Sequence, residues 1–186
     1  MGLSVLTNRF RAVRIEFQNE RWKMDQKFLS LSKRVARSLL DREYTLSTAE
    51  SCTGGMLSQT ITAISGSSTY FIGGVVAYHN RIKEHFLDVQ GFTLETYGAV
   101  SLQTAQEMAD GVRKRFQTEV GLSTTGIAGP TGATETKPVG LVCLGISLPE
   151  KTWTYKCNFR GDRLEVMQAS VVEILERLLE LLELPD

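Results

Sequence analysis

Cysteine is scarce in this sequence of 186 residues, which contains only Cys52, Cys143 and Cys157. Three widely separated thiols argue against a disulfide framework, and their spacing is not that of a zinc site. Low cysteine usage suits a reducing compartment, so we expect a cytoplasmic protein. The same spacing gives no reason to expect a metal or any other cofactor.

A surplus of charge of one sign is also absent. The 21 lysines and arginines balance the 21 aspartates and glutamates, so the formal net charge is zero. Nucleic-acid-binding domains usually carry a basic excess, so we expect no nucleic-acid partner, although a local basic patch is compatible with this composition. The sequence also lacks an apolar run of the roughly 20 residues that a membrane helix needs. We therefore expect no membrane association.

The first two dozen residues contain several basic side chains but lack the continuous apolar stretch of a secretory signal. Regular patterning begins just after Met24, which is an alternative start of the natural chain. The sequence therefore predicts two parts. Residues 1–24 form an N-terminal extension, either disordered or folded as an added helix, and residues 25–186 form one domain.

Helical and strand-like patterns alternate through the predicted domain. Helices are predicted over residues 25–40, 56–64, 80–86, 102–116 and 162–184. Strands are predicted over residues 45–50, 70–78, 120–125, 139–148 and 152–159. We expect the second strand to be buried and residues 91–100 to be mostly a connector. Because the last two strands have the pattern of a hairpin, the expected fold class is α/β, a three-layer α/β/α sandwich with a mixed sheet.

The leucine-rich final helix is expected to pack against the core, because apolar stripes of this kind usually face inward. A contact between subunits is the alternative interpretation of the same stripe.

A possible nucleophile stands where the first strand gives way to a helix. Ser51 follows that strand and precedes a glycine pair, which permits a tight turn and close approach of a ligand. The first amides of a helix lack internal partners and favour negative charge, so they could hold an oxyanion beside Ser51. The alternative is that a hydroxyl here merely caps the helix. The residues expected to contact substrate in this turn are Cys52, Thr53, Gly54 and Gly55.

A serine nucleophile needs a base. The only histidines are His79, which follows a predicted strand, and His85, which lies in a charged helix and is expected to face solvent. Lysine can replace histidine if loss of solvent lowers its pKa. Tyr78 ends a strand and Lys83 lies one helical turn later, so both can reach the edge that holds Ser51. From the residues alone, an ordinary surface lysine is the simpler interpretation of Lys83.

A loop rich in glycine and threonine follows the third predicted strand. Its backbone amides and hydroxyls can surround a phosphate or a sugar, although a long structural turn is the alternative. Arg163 opens the final helix and could contact a phosphate, or could be a surface charge. We predict that the 126–132 loop and Arg163 together hold a substrate phosphate. The residues expected to bind substrate in this part of the chain are Thr125, Gly126, Gly129, Thr131, Gly132, Lys137 and Arg163.

Several short motifs occur in the order typical of one known family. They are TAESCTGG (48–55), GSS (66–68), YHNRIK (78–83), GAVS (98–101), GIAGP (126–130), KPVG (137–140) and FRGDR (159–163). Together they cover roughly residues 25–184. The sequence resembles the C-terminal domain of CinA-type proteins, which also occurs as a standalone nicotinamide-nucleotide amidase.

The resemblance implies hydrolysis of nicotinamide mononucleotide to nicotinate mononucleotide and ammonia. In the family, the serine of TAESCTGG is the nucleophile, and the tyrosine and lysine of the Y-x-N-x-x-K motif assist it. These residues correspond to Ser51, Tyr78 and Lys83. The family commonly has a small residue at the position of His79, so His79 is not carried over as catalytic. In the implied mechanism, neutral Lys83 takes the Ser51 proton with the help of Tyr78.

Other interpretations remain open beside this one. The chain could be an amidase for another small amide, or a non-catalytic CinA-like domain that binds a nucleotide or a partner protein. Cys52 is the rival nucleophile, but we interpret it as a small neighbour of Ser51 because no adjacent histidine is assured. The expected partners are a small-molecule nucleotide substrate and a second copy of the chain, since we expect a homo-oligomer and a dimer before larger assemblies.

Overall fold

The structure is a computed structural model that describes residues 26–183, so the predicted extension over residues 1–24 lies outside the described residues. The described helices are α1 (Gln26–Asp41), α2 (Met56–Thr62), α3 (Asn80–Leu87), α4 (Gly91–Thr96), α5 (Leu102–Phe116) and α6 (Arg163–Leu182). The described strands are β1 (Leu46–Glu50), β2 (Phe71–Val76), β3 (Val120–Gly126), β4 (Leu141–Ser147) and β5 (Thr152–Asn158). A 3₁₀ turn over Ser67–Thr69 leads into β2.

The strands form one mixed sheet in the order β2-β1-β3-β4-β5. β1 pairs in parallel with β2 and β3, whereas β4 pairs antiparallel with β3 and β5. Residues 148–151 join β4 to β5 as the predicted hairpin. The predicted α/β class and the mixed sheet are therefore confirmed.

Helices cover both faces of the sheet. α1, α2 and α6 contact one another on one face, where Leu122 and Leu144 belong to the larger hydrophobic core. α5 packs across the other face together with α3, and Met108 and Val112 belong to a smaller core there. The leucine stripe of α6 faces the larger core, as predicted, through Leu175, Leu178, Leu179 and Leu182. Within residues 26–183, no helix is both long enough and apolar enough to cross a membrane.

The second strand is not buried as predicted. β2 lies at the edge of the sheet, and alternate residues such as Ile72 and Val76 are about half exposed. An apolar run does not distinguish a central strand from an edge strand, because the position of a strand in the sheet depends on the chain's connections rather than on its local sequence.

The segment over residues 91–100 is not simply a connector, because it contains α4. The carboxylate of Glu107 in α5 accepts hydrogen bonds from the Gln90 amide at 2.8 Å and from the Thr93 hydroxyl at 2.6 Å. A side chain from another element therefore anchors the start of this short helix, and the local sequence does not reveal that contact.

One edge of the sheet collects the beginnings of four helices. α2, α3 and α6 follow the carboxyl ends of β1, β2 and β5, and α5 leads into the opposite end of β3. All four helices therefore begin at the edge where β1 and β3 end. Helix N-termini carry partial positive charge, so negatively charged groups are favoured at this edge.

Candidate active site

A cavity of about 230 Å³ opens at this edge. The predicted site residues in its wall are Ser51, Cys52, Tyr78, Lys83, Thr125, Gly126 and Arg163. The wall also contains four residues that belong to the family-typical motifs but were not predicted as site residues, namely Asn80, Ala99, Val100 and Ala128. The cavity therefore brings together the three residues to which the family resemblance gives catalytic roles.

Ser51 lies directly after β1, at the floor of the cavity. Its amide donates to the Thr124 carbonyl at 2.9 Å, which continues the pairing of β1 with β3 by one residue. The chain then turns sharply into α2 through Gly54 and Gly55, whose φ angles of 60° and 105° lie in the left-handed region. Glycine adopts this conformation without steric cost. Only 9% of Ser51 is exposed, so its hydroxyl is held within the cavity wall.

Lys83 is the residue that meets Ser51. Its Nζ lies 3.0 Å from Ser51 Oγ, 2.6 Å from the Ala77 carbonyl oxygen and 3.4 Å from the Tyr78 carbonyl oxygen. The side chain extends from the first turn of α3 toward the end of β1, and only 1% of the residue is exposed. The interpretation of Lys83 as a surface lysine is therefore wrong.

The burial of Lys83 changes its acidity. Burial lowers the pKa of Lys83 from its ordinary 10.5 to about 8, because the ammonium loses water, while Cys52 opposes this shift. Among residues 26–183, no carboxylate forms an ion pair with Lys83. A substantial fraction of Lys83 is therefore neutral near pH 8 and can accept a proton.

Glu50, which is not among the predicted site residues, holds in place the turn over residues 51–55, which we call the nucleophile turn. It is fully buried, and its Oε2 accepts hydrogen bonds from the amides of Gly55 and Leu57, each at 3.0 Å. The same oxygen accepts from the Thr53 hydroxyl at 2.7 Å, and Oε1 accepts from the amide and hydroxyl of Ser58 at 2.8 and 2.6 Å. A carboxylate just before a helix start was the available signal, because negative charge stabilises that end of a helix.

These contacts narrow the choice of oxyanion donors. The Gly55 amide donates to Glu50, and the Gly54 amide donates to the Ser51 carbonyl at 3.2 Å. Of the amides left in this turn, only that of Cys52 belongs to a residue that lines the cavity, so it is the available oxyanion donor. Thr53 is fully buried against Glu50, and neither it nor Gly54 or Gly55 lines the cavity, so the prediction that these three residues contact substrate is not supported by the structure.

Tyr78 lies at the mouth of the cavity and 61% of it is exposed. Its hydroxyl accepts a hydrogen bond from Arg163 Nη2 at 2.9 Å, and Arg163 Nη1 donates to the Gly129 carbonyl at 2.9 Å. The phenol thus contacts a guanidinium rather than the amine of Lys83 or the hydroxyl of Ser51. This position suits contact with a substrate better than relay of the Ser51 proton.

The other candidate bases and nucleophiles have less suitable surroundings. His79 is exposed and caps α3, where its Nδ1 accepts from the Arg81 amide at 3.2 Å. Burial raises the pKa of Cys52 to about 12, so its thiol stays protonated at neutral pH. Among the described residues, no group of three or more histidine, cysteine, aspartate or glutamate side chains is arranged to hold a metal ion.

Four further predicted binding residues do not line the Ser51 cavity. Gly129 lines a neighbouring cavity, which shares Ala128 and Arg163 with the first. Thr131 and Gly132 are exposed in the loop after β3 and line neither of these cavities. Lys137 lies in a separate cleft, where its ammonium donates to the Tyr97 carbonyl at 2.6 Å.

Residues 28–182 match the family described as the CinA C-terminal domain. The chain belongs to this family. A CinA-like protein of Microcystis aeruginosa is 51% identical over 147 residues, which cover 77% of this chain and 35% of that protein. A competence-damage inducible protein of Halothermothrix orenii is 51% identical over 135 residues, covering 72% of this chain and 33% of that protein. The chain thus spans about a third of the length of these curated relatives.

Solved structures of the CinA family share the fold. The crystal structure of the competence/damage inducible protein CihA from Agrobacterium tumefaciens superposes with a TM-score of 0.83 at 37% identity, covering 86% of this chain and 98% of that chain. A competence or damage-inducible protein from Enterobacter asburiae gives a TM-score of 0.82 at 34% identity, covering 86% and 100% of the two chains. These names state no chemical reaction.

Proposed function

We propose that this protein hydrolyses the carboxamide of nicotinamide mononucleotide, with Ser51 as the nucleophile and Lys83 as the general base. The observation that carries the proposal is the 3.0 Å contact between Lys83 Nζ and Ser51 Oγ in the wall of a cavity. A serine hydroxyl becomes an effective nucleophile when an adjacent base takes its proton. The family resemblance supplies the identity of the amide.

The surroundings of Lys83 Nζ favour the direction of proton transfer that this reaction needs. A neutral amine has two N–H donors and one lone pair. The carbonyl oxygens of Ala77 and Tyr78 can only accept, so they take both N–H groups of the neutral amine. Its lone pair is then left for the hydroxyl proton of Ser51.

The reaction proceeds in two halves. Ser51 Oγ attacks the carboxamide carbon while its proton passes to Lys83 Nζ, and the amide of Cys52 donates to the resulting oxyanion. Collapse of this intermediate breaks the C–N bond, and the Lys83 ammonium gives its proton to the departing ammonia. Lys83 then removes a proton from a water molecule, which attacks the acyl ester. The ester C–O bond breaks, Lys83 returns that proton to Ser51 Oγ, and nicotinate mononucleotide is released.

The charge distribution supports an anionic substrate rather than a neutral amide. The N-termini of α3 and α5 lie at this edge, and their partial positive charge stabilises anions, whereas the start of α2 already holds the Glu50 carboxylate and the start of α6 carries Asp162 and Glu165. Because the phosphate of nicotinamide mononucleotide is remote from the amide, it can provide binding energy without taking part in the chemistry.

The test is to incubate purified protein with nicotinamide mononucleotide and to measure ammonia and nicotinate mononucleotide. We expect both products in equal amounts, and neither from the folded Ser51→Ala variant. Ammonia from a different small amide alone would replace the proposed substrate. Tight nucleotide binding without any ammonia would instead make the protein a nucleotide-binding domain.

A further inference from the structure

A second cleft lies beside the Ser51 cavity and shares Val100 with it. Its volume is about 360 Å³, and its wall contains Gln103, Lys137 and Lys156. No aspartate or glutamate lines it in the part of the chain that the structure describes. We call this space the cationic cleft.

The two lysines of the cationic cleft act on the same region. Lys137 Nζ donates to the Tyr97 carbonyl at 2.6 Å, which fixes its ammonium and leaves two of its three N–H groups for another acceptor. Lys156 lies on β5 opposite Cys143 of β4. Burial raises the pKa of the Cys143 thiol, and the charges of Lys156 and Lys137 oppose that rise, so both ammonium groups act on one side chain in the cleft wall.

The start of α5 adds backbone donors to the cationic cleft. The hydroxyl of Ser101 caps this helix by accepting from the Thr104 amide at 3.1 Å, and the Ser101 carbonyl accepts from the Ala105 amide at 3.0 Å. This cap does not use the amides of Leu102 and Gln103, and both residues line the cleft. Unsatisfied amides in the first turn of a helix are suited to binding an anion.

Arg163 lines the Ser51 cavity but not the cationic cleft, and it is less available to a phosphate. Its guanidinium already donates to Tyr78 and to the Gly129 carbonyl. The carboxylates of Asp162 and Glu165 lie at the same helix start, where each accepts a hydrogen bond from the other residue's backbone amide. One positive charge beside two negative charges favours an anion less than two lysines without a carboxylate.

We infer that the cationic cleft binds the phosphate of a nucleotide whose amide lies at Ser51, through Lys137 and Lys156. This inference rests on the proposed function for the identity of the reacting group, and it replaces the prediction that Arg163 and the 126–132 loop hold the phosphate. The cleft then makes the protein selective for a nucleotide over the corresponding riboside.

The experiment measures binding in the Ser51→Ala background, in which substrate is not consumed. Nicotinamide mononucleotide and nicotinamide riboside are titrated calorimetrically into this protein and into forms that also carry Lys137→Gln with Lys156→Gln, Arg163→Gln, or Lys114→Gln. Lys114 is an exposed lysine at the opposite end of α5 and serves as the matched control. We expect the double substitution Lys137→Gln with Lys156→Gln to weaken nucleotide binding at least tenfold, on the order expected for a lost charged hydrogen bond. Riboside binding should change little.

The possible outcomes separate this inference from the proposed reaction. Equal nucleotide affinity with and without the two cleft lysines would show that the cleft does not bind the phosphate. The absence of nucleotide binding, or a selective loss only in Arg163→Gln, would contradict the inference in the same way. If wild-type protein releases no ammonia but its nucleotide binding still depends on the lysines, the proposed reaction is wrong and the phosphate site in the cleft is supported. Ammonia release together with lysine-independent binding gives the reverse result.

Discussion

At the scale of single residues, Ser51 and Cys52 are neighbours that differ in their ability to act as the nucleophile. Ser51 has an amine 3.0 Å away, whereas burial raises the pKa of the Cys52 thiol to about 12. We expect Ser51→Ala to reduce ammonia release from nicotinamide mononucleotide by a factor on the order of 10⁴ or more, as for other serine nucleophiles. Cys52→Ala should retain most activity. An active Ser51→Ala protein beside an inactive, folded Cys52→Ala protein would reverse the assignment and make the chemistry thiol-based.

Lys83 must be neutral to accept the serine proton. Because burial lowers its pKa to about 8, the neutral fraction grows as pH rises, and kcat/KM should increase with a midpoint near pH 8 before reaching a plateau. Lys83→Arg keeps the charge but cannot lose it at these pH values, so turnover should fall about 10²–10⁴-fold. The measurement is a pH–rate profile of both proteins, with circular dichroism as the folding control. Near-normal turnover in Lys83→Arg would reduce Lys83 to a positioning charge.

Glu50 positions the nucleophile turn through the hydrogen bonds that its carboxylate accepts. In Glu50→Gln, an amide NH₂ replaces an oxygen that accepts from backbone amides of α2, so donors face donors. We expect a loss of about 2–3 kcal/mol in the free energy of unfolding and a lower kcat with little change in KM. Urea unfolding and steady-state kinetics measure the two effects.

Glu119 provides the matched control for Glu50. Its carboxylate accepts from the amide and hydroxyl of Thr45 at 2.7 and 2.8 Å, at the opposite end of β1 from Ser51. Glu119→Gln should therefore lose stability but keep kcat. Equal losses of kcat in both variants would mean that Glu50 acts only through general stability.

The sequence predicts some of these residues better than others, for physical reasons. Ser51 could be singled out because strand, nucleophile, glycine pair and helix are contiguous. The burial of Lys83 could not be predicted in this way, because it depends on packing against residues far along the chain, including Ser51. The pairing of Tyr78 with Arg163 likewise joins two distant segments, so local spacing gave no indication that the phenol contacts a guanidinium.

At the scale of elements, α4 shows how a remote side chain can stabilise a short helix. Glu107→Ala removes the acceptor for the Gln90 amide and the Thr93 hydroxyl, which costs about 1 kcal/mol for a lost helix cap. Amide hydrogen exchange should therefore accelerate in Gly91–Thr96. Since Ala99 and Val100, shortly after α4, line the Ser51 cavity, KM should rise as well.

An exposed acid on α4 itself tests whether this effect is specific. Glu95→Ala changes a carboxylate of α4 for which no contact to another element is observed in residues 26–183. Exchange in α4 should stay as in wild type. If Glu107→Ala also leaves exchange unchanged, the helix does not depend on the contact with α5.

Most elements were predictable because their own residues determine them. The long periodic helix α5 begins and ends at the predicted residues, and the hairpin of β4 and β5 follows from two strand patterns joined by a short turn. What could not be predicted depends on neighbours. The edge position of β2 follows from sheet order, and α4 depends on a carboxylate from α5.

At the scale of the whole molecule, burial of ionisable groups makes the free energy of unfolding depend on pH in two opposite directions. Burial raises the pKa of Cys52 from 9.0 to about 12 and that of Cys157 to about 11. Above pH 9 the unfolded state therefore loses protons that the folded state keeps, and these thiols lower stability as pH rises.

The depressed pKa of Lys83 has the reverse effect. Below pH 8 both states bind the lysine proton and burying the ammonium destabilises the fold, and between pH 8 and 10.5 the unfolded state binds more protons, so stability rises.

A comparison of variants isolates the contribution of Lys83 from that of the thiols. A depression from 10.5 to about 8 corresponds to roughly 3 kcal/mol when the lysine is fully charged in both states. We expect the stability of Lys83→Met relative to wild type to fall by on the order of 2 kcal/mol between pH 7 and pH 10. The Ala77 carbonyl loses its lysine donor in this variant at every pH, so that loss does not alter the trend. Urea unfolding at several pH values measures the difference, with exposed Lys114→Met as the control that should show no trend. A difference that stays constant with pH would show an ordinary pKa for Lys83 in the folded protein, and would remove its claim to be the base at neutral pH.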